Sequence, residues 1–363
     1  MKKRIGILSM QRVVNFGSVL QAWSLREMIR AAAGVQAVFL DIQDKPALES
    51  LEDNVSARDY EAPAVYSRSI LQRGKRWIIT RLSGYNKGLI RRFMREELRL
   101  DDVREEQDFD HVVIGSDEVF NHAKGIRLQL HGEVEGARRV ITYAASCGSA
   151  KPEHVREEDS QRVRQAMRRF EAISVRDAGT KAYAEAFYDG PMDHHMDPVL
   201  MGPLHARRPG KVWLKKYLLV YAYGQRIRTA EEIGAIRAFA REKSLTIVAM
   251  GGSQFWCDLY IPAAPMRMLD WFAHADYVVT DTFHGAIFSV INRRRFAVII
   301  RESNRNKLTS LLADLTLSAR QVPDVAQLSA VLDTEIDYAQ VESLLKKERI
   351  RAMDYLKEQL SDE

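Results

Sequence analysis

A compact β-branched run that switches abruptly into an apolar helix constrains this chain more than any other feature. The stretch reads Ala275-Asp276-Tyr277-Val278-Val279-Thr280-Asp281-Thr282-Phe283-His284-Gly285-Ala286-Ile287-Phe288-Ser289-Val290. Tyr277 to Val279 fits a short strand buried in a parallel sheet. Asp281 or Thr282 can cap the helix that follows. His284 and Gly285 then fall at a helix N-terminus, just past the C-terminal end of a strand, where open α/β sheets bind ligands. Backbone N–H groups and the helix dipole favour an anion there. An imidazole beside such an anion could donate a proton or hold a phosphate. The alternative is a capped helix whose histidine only packs.

The same alternation runs along the chain. Strands are expected over 4–9, 38–40, 109–115, 140–144 and 172–175, then over 217–222, 245–250 and 295–300. Helices are expected over 18–33, ended by Gly34, and over 66–82, 87–98, 152–170 and 177–186. Further helices are read over 227–243, 266–274, 306–314, 324–333 and 337–360, with a loop over 43–65. Residues 203–210 look like a linker. This pattern predicts two doubly wound, Rossmann-like α/β domains facing a cleft. Their expected spans are 1–202 and 211–335, with 336–363 a C-terminal helix long enough to cross back onto the first domain. The turn Asn15-Phe16-Gly17-Ser18 lacks the Gly-x-Gly-x-x-Gly spacing of a dinucleotide site.

Composition excludes several classes. Hydrophobic residues are 46% and charged residues 28%, as in globular proteins. No window approaches the roughly 18 apolar residues of a transmembrane helix, and Met1-Lys2-Lys3-Arg4 leads straight into a strand, so a cytoplasmic location is expected. Cys147 and Cys257 lie too far apart in sequence to suggest a disulfide framework or metal clip. Asp193-His194-His195 suggests a metal, but adjacent histidines in a strand point opposite ways and no second ligand pair follows, so none is expected. The net charge is +5, with much of the excess between Arg68 and Arg99: Arg73, Lys75, Arg76, Arg81, Lys87, Arg91, Arg92 and Arg95. That segment reads either as a solvated face or as a peripheral contact with anionic membrane, at the inner face for a cytoplasmic protein. No aromatic-interleaved basic stripe argues for nucleic acid.

Several motifs, in order, carry a resemblance. Asn15-Phe16-Gly17-Ser18-Val19-Leu20-Gln21-Ala22-Trp23, Gly115-Ser116-Asp117-Glu118-Val119-Phe120-Asn121, Ser174-Val175-Arg176-Asp177, Asp197-Pro198-Val199-Leu200 and Thr280-Asp281-Thr282-Phe283-His284-Gly285 stand in the order of similar strings in the polysaccharide pyruvyl transferase family. The chain resembles that family from residue 4 to about 320, with Thr282 for Ser and Asp177 for Glu. Family members commonly have Phe where Cys147 stands, so no nucleophilic role is expected for it.

The resemblance implies a GT-B-like arrangement and transfer of a pyruvyl group from phosphoenolpyruvate to a saccharide acceptor, free or lipid-linked. No metal or other cofactor is required by that scheme. His284 is the candidate for acid chemistry or phosphate contact, and Arg176, with the amides of His284, Gly285 and Ala286, for the donor anions. Asp117 is a candidate base on the acceptor side. Asn15 and Gln21 either bond acceptor hydroxyls or serve as local caps. A nucleotide-sugar glycosyltransferase and a catalytically silent glycan-binding relative are the competing readings.

Overall fold

The structure is a computed structural model that describes residues 3–51, 70–102 and 108–361. It holds two parallel sheets. In the first half, β1 (Ile5–Leu8), α1 (Phe16–Ala33), β2 (Val38–Phe39), α2 (Ile70–Glu96), β3 (Phe109–Asp117) and β4 (Ala137–Ala145) follow in order. α3 (Glu157–Met167), β5 (Phe170–Val175), α4 (Ala178–Glu185), β6 (Met192–His194) and the single turn α5 (Pro198–Met201) complete it. These strands order as β2-β1-β3-β4-β5-β6, all parallel.

The second half runs β7 (Tyr217–Ala222), α6 (Ala230–Glu242), β8 (Thr246–Gly251), β9 (Leu259–Tyr260), α7 (Pro265–His274), β10 (Tyr277–Thr280), α8 (Phe283–Ile291) and β11 (Arg295–Val298). Its order is β11-β10-β7-β8-β9, again parallel. Helices α9 (Arg305–Asp314), α10 (Leu328–Asp333) and α11 (Tyr338–Gln359) end the chain.

The strands are apolar on both faces because both faces are covered. Tyr217, Leu219 and Tyr221 of β7 enter one core, and Leu218, Val220 and Ala222 enter another. Ile5 and Ile7 of β1 share that first core, while Leu8 turns away into a third. One core is therefore continuous from the first sheet to the second. Truncating a member such as Leu219 to Ala would cost about 2–5 kcal/mol.

The expected pair of helices over 66–82 and 87–98 is one helix, α2; residues 66–69 and the later part of the 43–65 loop lie outside the described residues. The apparent break at Ser83-Gly84-Tyr85-Asn86 is overridden by packing. Asn86 is buried and its Oδ1 accepts a bond from Ala263 N at 3.0 Å. The expected helix over 152–170 begins as a 3-10 turn, Pro152–His154, and becomes α-helical only at Glu157. The 203–210 linker is pinned, with Arg207 paired to Asp270 and Gly210 N donating to Asp270 Oδ1 at 2.8 Å. α11 returns to the first sheet, where Tyr355 OH donates to Thr142 O at 2.8 Å and Arg349 Nε donates to Leu200 O at 3.0 Å.

Candidate functional site

Each sheet has one point where strand order reverses, between β1 and β3 in the first and between β10 and β7 in the second. The loops after these four strands face one another, as ligand-binding loops of open sheets do. Between them lie a chamber of about 360 Å³ and another of about 390 Å³. The first is walled by Phe16, Asn86, Lys87, Gly224 and Gly252, and the second by Asp117, Asn121, Lys124, Arg127 and Lys307. Asn15, Tyr223 and His284 line both.

His284 is placed by its own local sequence. Thr282 caps α8, its Oγ1 accepting from Gly285 N at 2.9 Å. Thr280 Oγ1 in turn accepts from Thr282 N at 3.0 Å. A Cβ on Gly285 would fall 2.7 Å from Thr282 Oγ1 and 2.8 Å from Thr280 Cβ, so the capped turn leaves room only for glycine. Below it, Asp281 is fully buried, with Nε of Arg226 and of Arg301 each 3.6 Å from Oδ2. Burial pushes its carboxyl up to about 6, despite the two guanidiniums. Asn304 Nδ2 donates to Asp281 O at 2.6 Å, tying the turn after β10 to the loop after β11.

The His284 ring reaches across to the first half of the chain. Its Nε2 lies 3.5 Å from Asp197 Oδ2, and its other edge lies over Gly17 in the first turn of α1. Asp197 is fully buried and caps α5 through a 2.9 Å bond from Val199 N. Arg176 Nη1 donates to Asp197 Oδ2 at 2.8 Å. Burial opposes ionisation of Asp197, but His284 and Arg176 outweigh it and hold the carboxyl below the usual range. Arg176 is buried as well, its Cζ 4.3 Å from the Phe283 ring centroid and its Nη2 3.9 Å from Asp117 Oδ1. The line Arg176–Asp197–His284 thus joins a strand end, a turn and a helix start from both halves.

The remaining expected site residues divide. Asp117 ends β3 with a left-handed φ of 75° and lines the second chamber. Ser18 Oγ donates to its Oδ2 at 2.7 Å. Asn15 caps α1, accepting from Ser18 N at 2.7 Å, and lines both chambers. Gln21 stands apart from the cleft. It is fully buried, and its Nε2 donates to Ser9 Oγ at 2.8 Å and Ser18 O at 3.1 Å, which ties α1 to the β1 exit.

Arg176 also lines neither chamber; its ion pair is with Asp197, behind Phe283. The Gly285 amide is taken by the Thr282 cap, and Ala286 N donates to Thr282 O at 3.3 Å. The N–H groups left without a partner inside their helices are those of Phe283 and His284, and, on the facing helix, Phe16 and Gly17.

Sequence reasoning missed Asp197 as more than a turn residue, and missed the pair Glu118 and Lys307. Lys307 and Glu118 form an ion pair between the two halves at the second chamber. Burial pushes the Glu118 carboxyl up, but Lys307 and Asn121 outweigh it and hold it down at about 2. Cys147 is buried, and burial pushes its thiol up to about 12, which leaves it inert. His194 and His195 do point apart: His194 Nε2 meets Arg176 O at 3.0 Å, and His195 Nδ1 meets Ser174 Oγ at 2.9 Å.

Two parallel-sheet α/β domains with their reversal points opposed across a cleft define a two-domain protein of the GT-B-like kind. The family model for polysaccharide pyruvyl transferase matches residues 15–303, and the chain belongs to that family of transferases. The matched span holds Asn15, Asp117, Arg176, Asp197 and His284. No curated protein matches the chain. Among solved structures, Arabidopsis thaliana UGT89C1 complexed with UDP is 11% identical, with 99% of this chain and 100% of that chain covered and a TM-score of 0.49. Methanocaldococcus jannaschii UDP-GlcNAc 2-epimerase in complex with UDP-GlcNAc and UDP is 11% identical, covers 98% and 100% of the two chains, and has a TM-score of 0.47.

Proposed function

We propose that this transferase moves a pyruvyl group from phosphoenolpyruvate to two hydroxyls of one sugar, forming a cyclic ketal and releasing phosphate. The observation that carries the reading is the position of the His284 ring. It lies where the first turns of α1 and α8 meet, borders both chambers, and has Asp197 3.5 Å behind it. The donor is an anion at both ends. The unspent N–H groups of two opposed helix starts suit a carboxylate and a phosphate.

In this scheme the C3 methylene of the donor takes a proton and becomes a methyl group, leaving C2 electron-poor. One sugar oxygen bonds to C2, the C2–O bond to phosphate breaks, and the second sugar oxygen closes the ring. The two hydroxyl protons end on C3 and on the departing phosphate. His284, beside Asp197, supplies the proton or holds the phosphate. Asp117 receives a hydroxyl proton from an acceptor in the second chamber, with Asn15 between the two substrates. The first chamber, edged by the Gly224 and Gly252 turns and Lys87, holds the donor.

The test is a thermal-shift series followed by turnover. Phosphoenolpyruvate should raise the melting temperature where UDP- and GDP-sugars do not. With a working acceptor, phosphate should appear together with a product heavier by one pyruvate less one water. Stabilisation by a nucleotide sugar alone would replace this reading with sugar transfer.

A further inference from the structure

We propose that the outer face of α2 docks the protein on an anionic lipid bilayer. α2 runs 27 residues and carries eight cations against the one acid Glu96. Arg73, Trp77, Arg81 and Tyr85 follow one another at four-residue intervals, and the same exposed face continues through Arg92 and Arg95. Trp77 is 61% exposed, Tyr85 62% and the neighbouring Ile78 51%. Water-exposed aromatic and aliphatic side chains set among arginines are what an interfacial helix presents to headgroups and the upper acyl chains. The Arg81 guanidinium sits 4.9 Å from the Trp77 ring centroid, so cation and indole act together.

The buried side of α2 is fixed to the body of the protein, so the exposed face is a rigid platform. Ile79 packs in the core of the second sheet, while Ile90, Phe93 and Met94 pack in the core shared by both sheets. Asn86, Lys87 and Ile90 line the first chamber. A protein held on a bilayer by this helix keeps its cleft beside the headgroups, where a lipid-linked saccharide is presented. That last step deepens the pyruvyl-transfer reading; the docking itself does not depend on it.

The test is flotation of the purified protein with vesicles of phosphatidylcholine, with and without about one-third phosphatidylglycerol. Binding is expected to the anionic vesicles only, and to fall steeply between about 0.05 and 0.5 M salt as the surface potential is screened. Each basic residue near such a surface contributes about a fivefold gain in partitioning. Arg91→Gln, Arg92→Gln and Arg95→Gln together should therefore weaken it on the order of 100-fold. Trp77→Ser with Ile78→Ser should weaken it even at low salt, and brominated lipids should quench wild-type fluorescence more than that of Trp77→Phe.

Turnover on a soluble acceptor and the melting temperature should be unchanged in the arginine variant, which separates lost docking from lost folding. Absence of flotation at low salt, binding equal on neutral vesicles, or a concentration-dependent dimer abolished by Trp77→Ser without any vesicle binding would overturn the proposal.

Discussion

Gly17 and His284 touch across the cleft so closely that no side chain fits between them. A Cβ on Gly17 would fall 2.5 Å from Cγ of the imidazole and 2.8 Å from its Cε1. Gly17 belongs to the first turn of α1 and His284 to the first turn of α8. Each ring position therefore depends on the relative setting of the two halves. Gly17→Ala should lower kcat on the order of 100-fold by displacing the ring from Asp197. Forcing in the extra methyl costs about 1–3 kcal/mol, so the melting temperature should fall by only a few degrees. An unchanged kcat in initial-rate assays would show that the ring has room the structure does not give it.

His284→Ala should reduce phosphate release on the order of 100-fold or more, the usual scale for a general acid or a preorganised charge partner. His284→Gln can donate a hydrogen bond but cannot titrate. It should retain more donor-induced thermal shift than activity. Full activity of His284→Ala with a working acceptor would remove the residue from the chemistry.

Asp197→Asn keeps the acceptor for Val199 N yet removes the charge between Arg176 and His284. Breaking a buried ion pair from one side costs about 3–5 kcal/mol. Chemical denaturation should show a loss of that size at neutral pH. The folded carboxyl sits below its unfolded range, so its contribution is present above the unfolded pKa and is lost as pH falls through the folded one. The difference between wild type and Asp197→Asn should accordingly shrink in strong acid. A constant difference from neutral pH to the acid transition would contradict this account of Asp197.

Glu118 offers a gentler version of the same test. Its carboxyl is held at about 2 against an unfolded value near 4.5. The stabilisation is full above about pH 4.5 and fades as pH falls toward about 2. Glu118→Gln should lower the melting temperature at pH 7 by several degrees and make no difference near the lower limit. Because Lys307 is the partner from the other half, Lys307→Met should give a similar pH profile.

The strand-and-helix grammar was legible wherever pattern and burial agree. Tyr217 to Ala222 and Tyr277 to Val279 are apolar in succession because both sheet faces are covered, and both lie in strands. The two helices expected over 66–82 and 87–98 are one because Asn86, between them, is buried against Ala263, a contact far along the chain that local pattern does not show. Asp197 looked like a turn residue, and it is one; its second oxygen meets His284 only after two sheets have been brought face to face. Of the two readings open for Gln21, a cleft amide or a local partner, its place in the structure matches the local one, because α1 presents that side to Ser9. Local chemistry placed His284 and Asn15 at helix starts, but contacts between distant segments decide which polar groups remain for a ligand.

The return of α11 has a mechanical meaning. The chain leaves the first half after α5 and comes back along this helix, which holds Arg294 O through Tyr338 at 2.6 Å near its start and Thr142 O through Tyr355 near its end. It adds these bonds to the core that both sheets share and to the Glu118–Lys307 pair. The 3.5 Å approach of His284 to Asp197 is thus set by segments far along the chain as well as by the residues beside it. α11 works as a strap: the spacing across the cleft belongs to the whole closed circuit of the chain, not to the cleft alone.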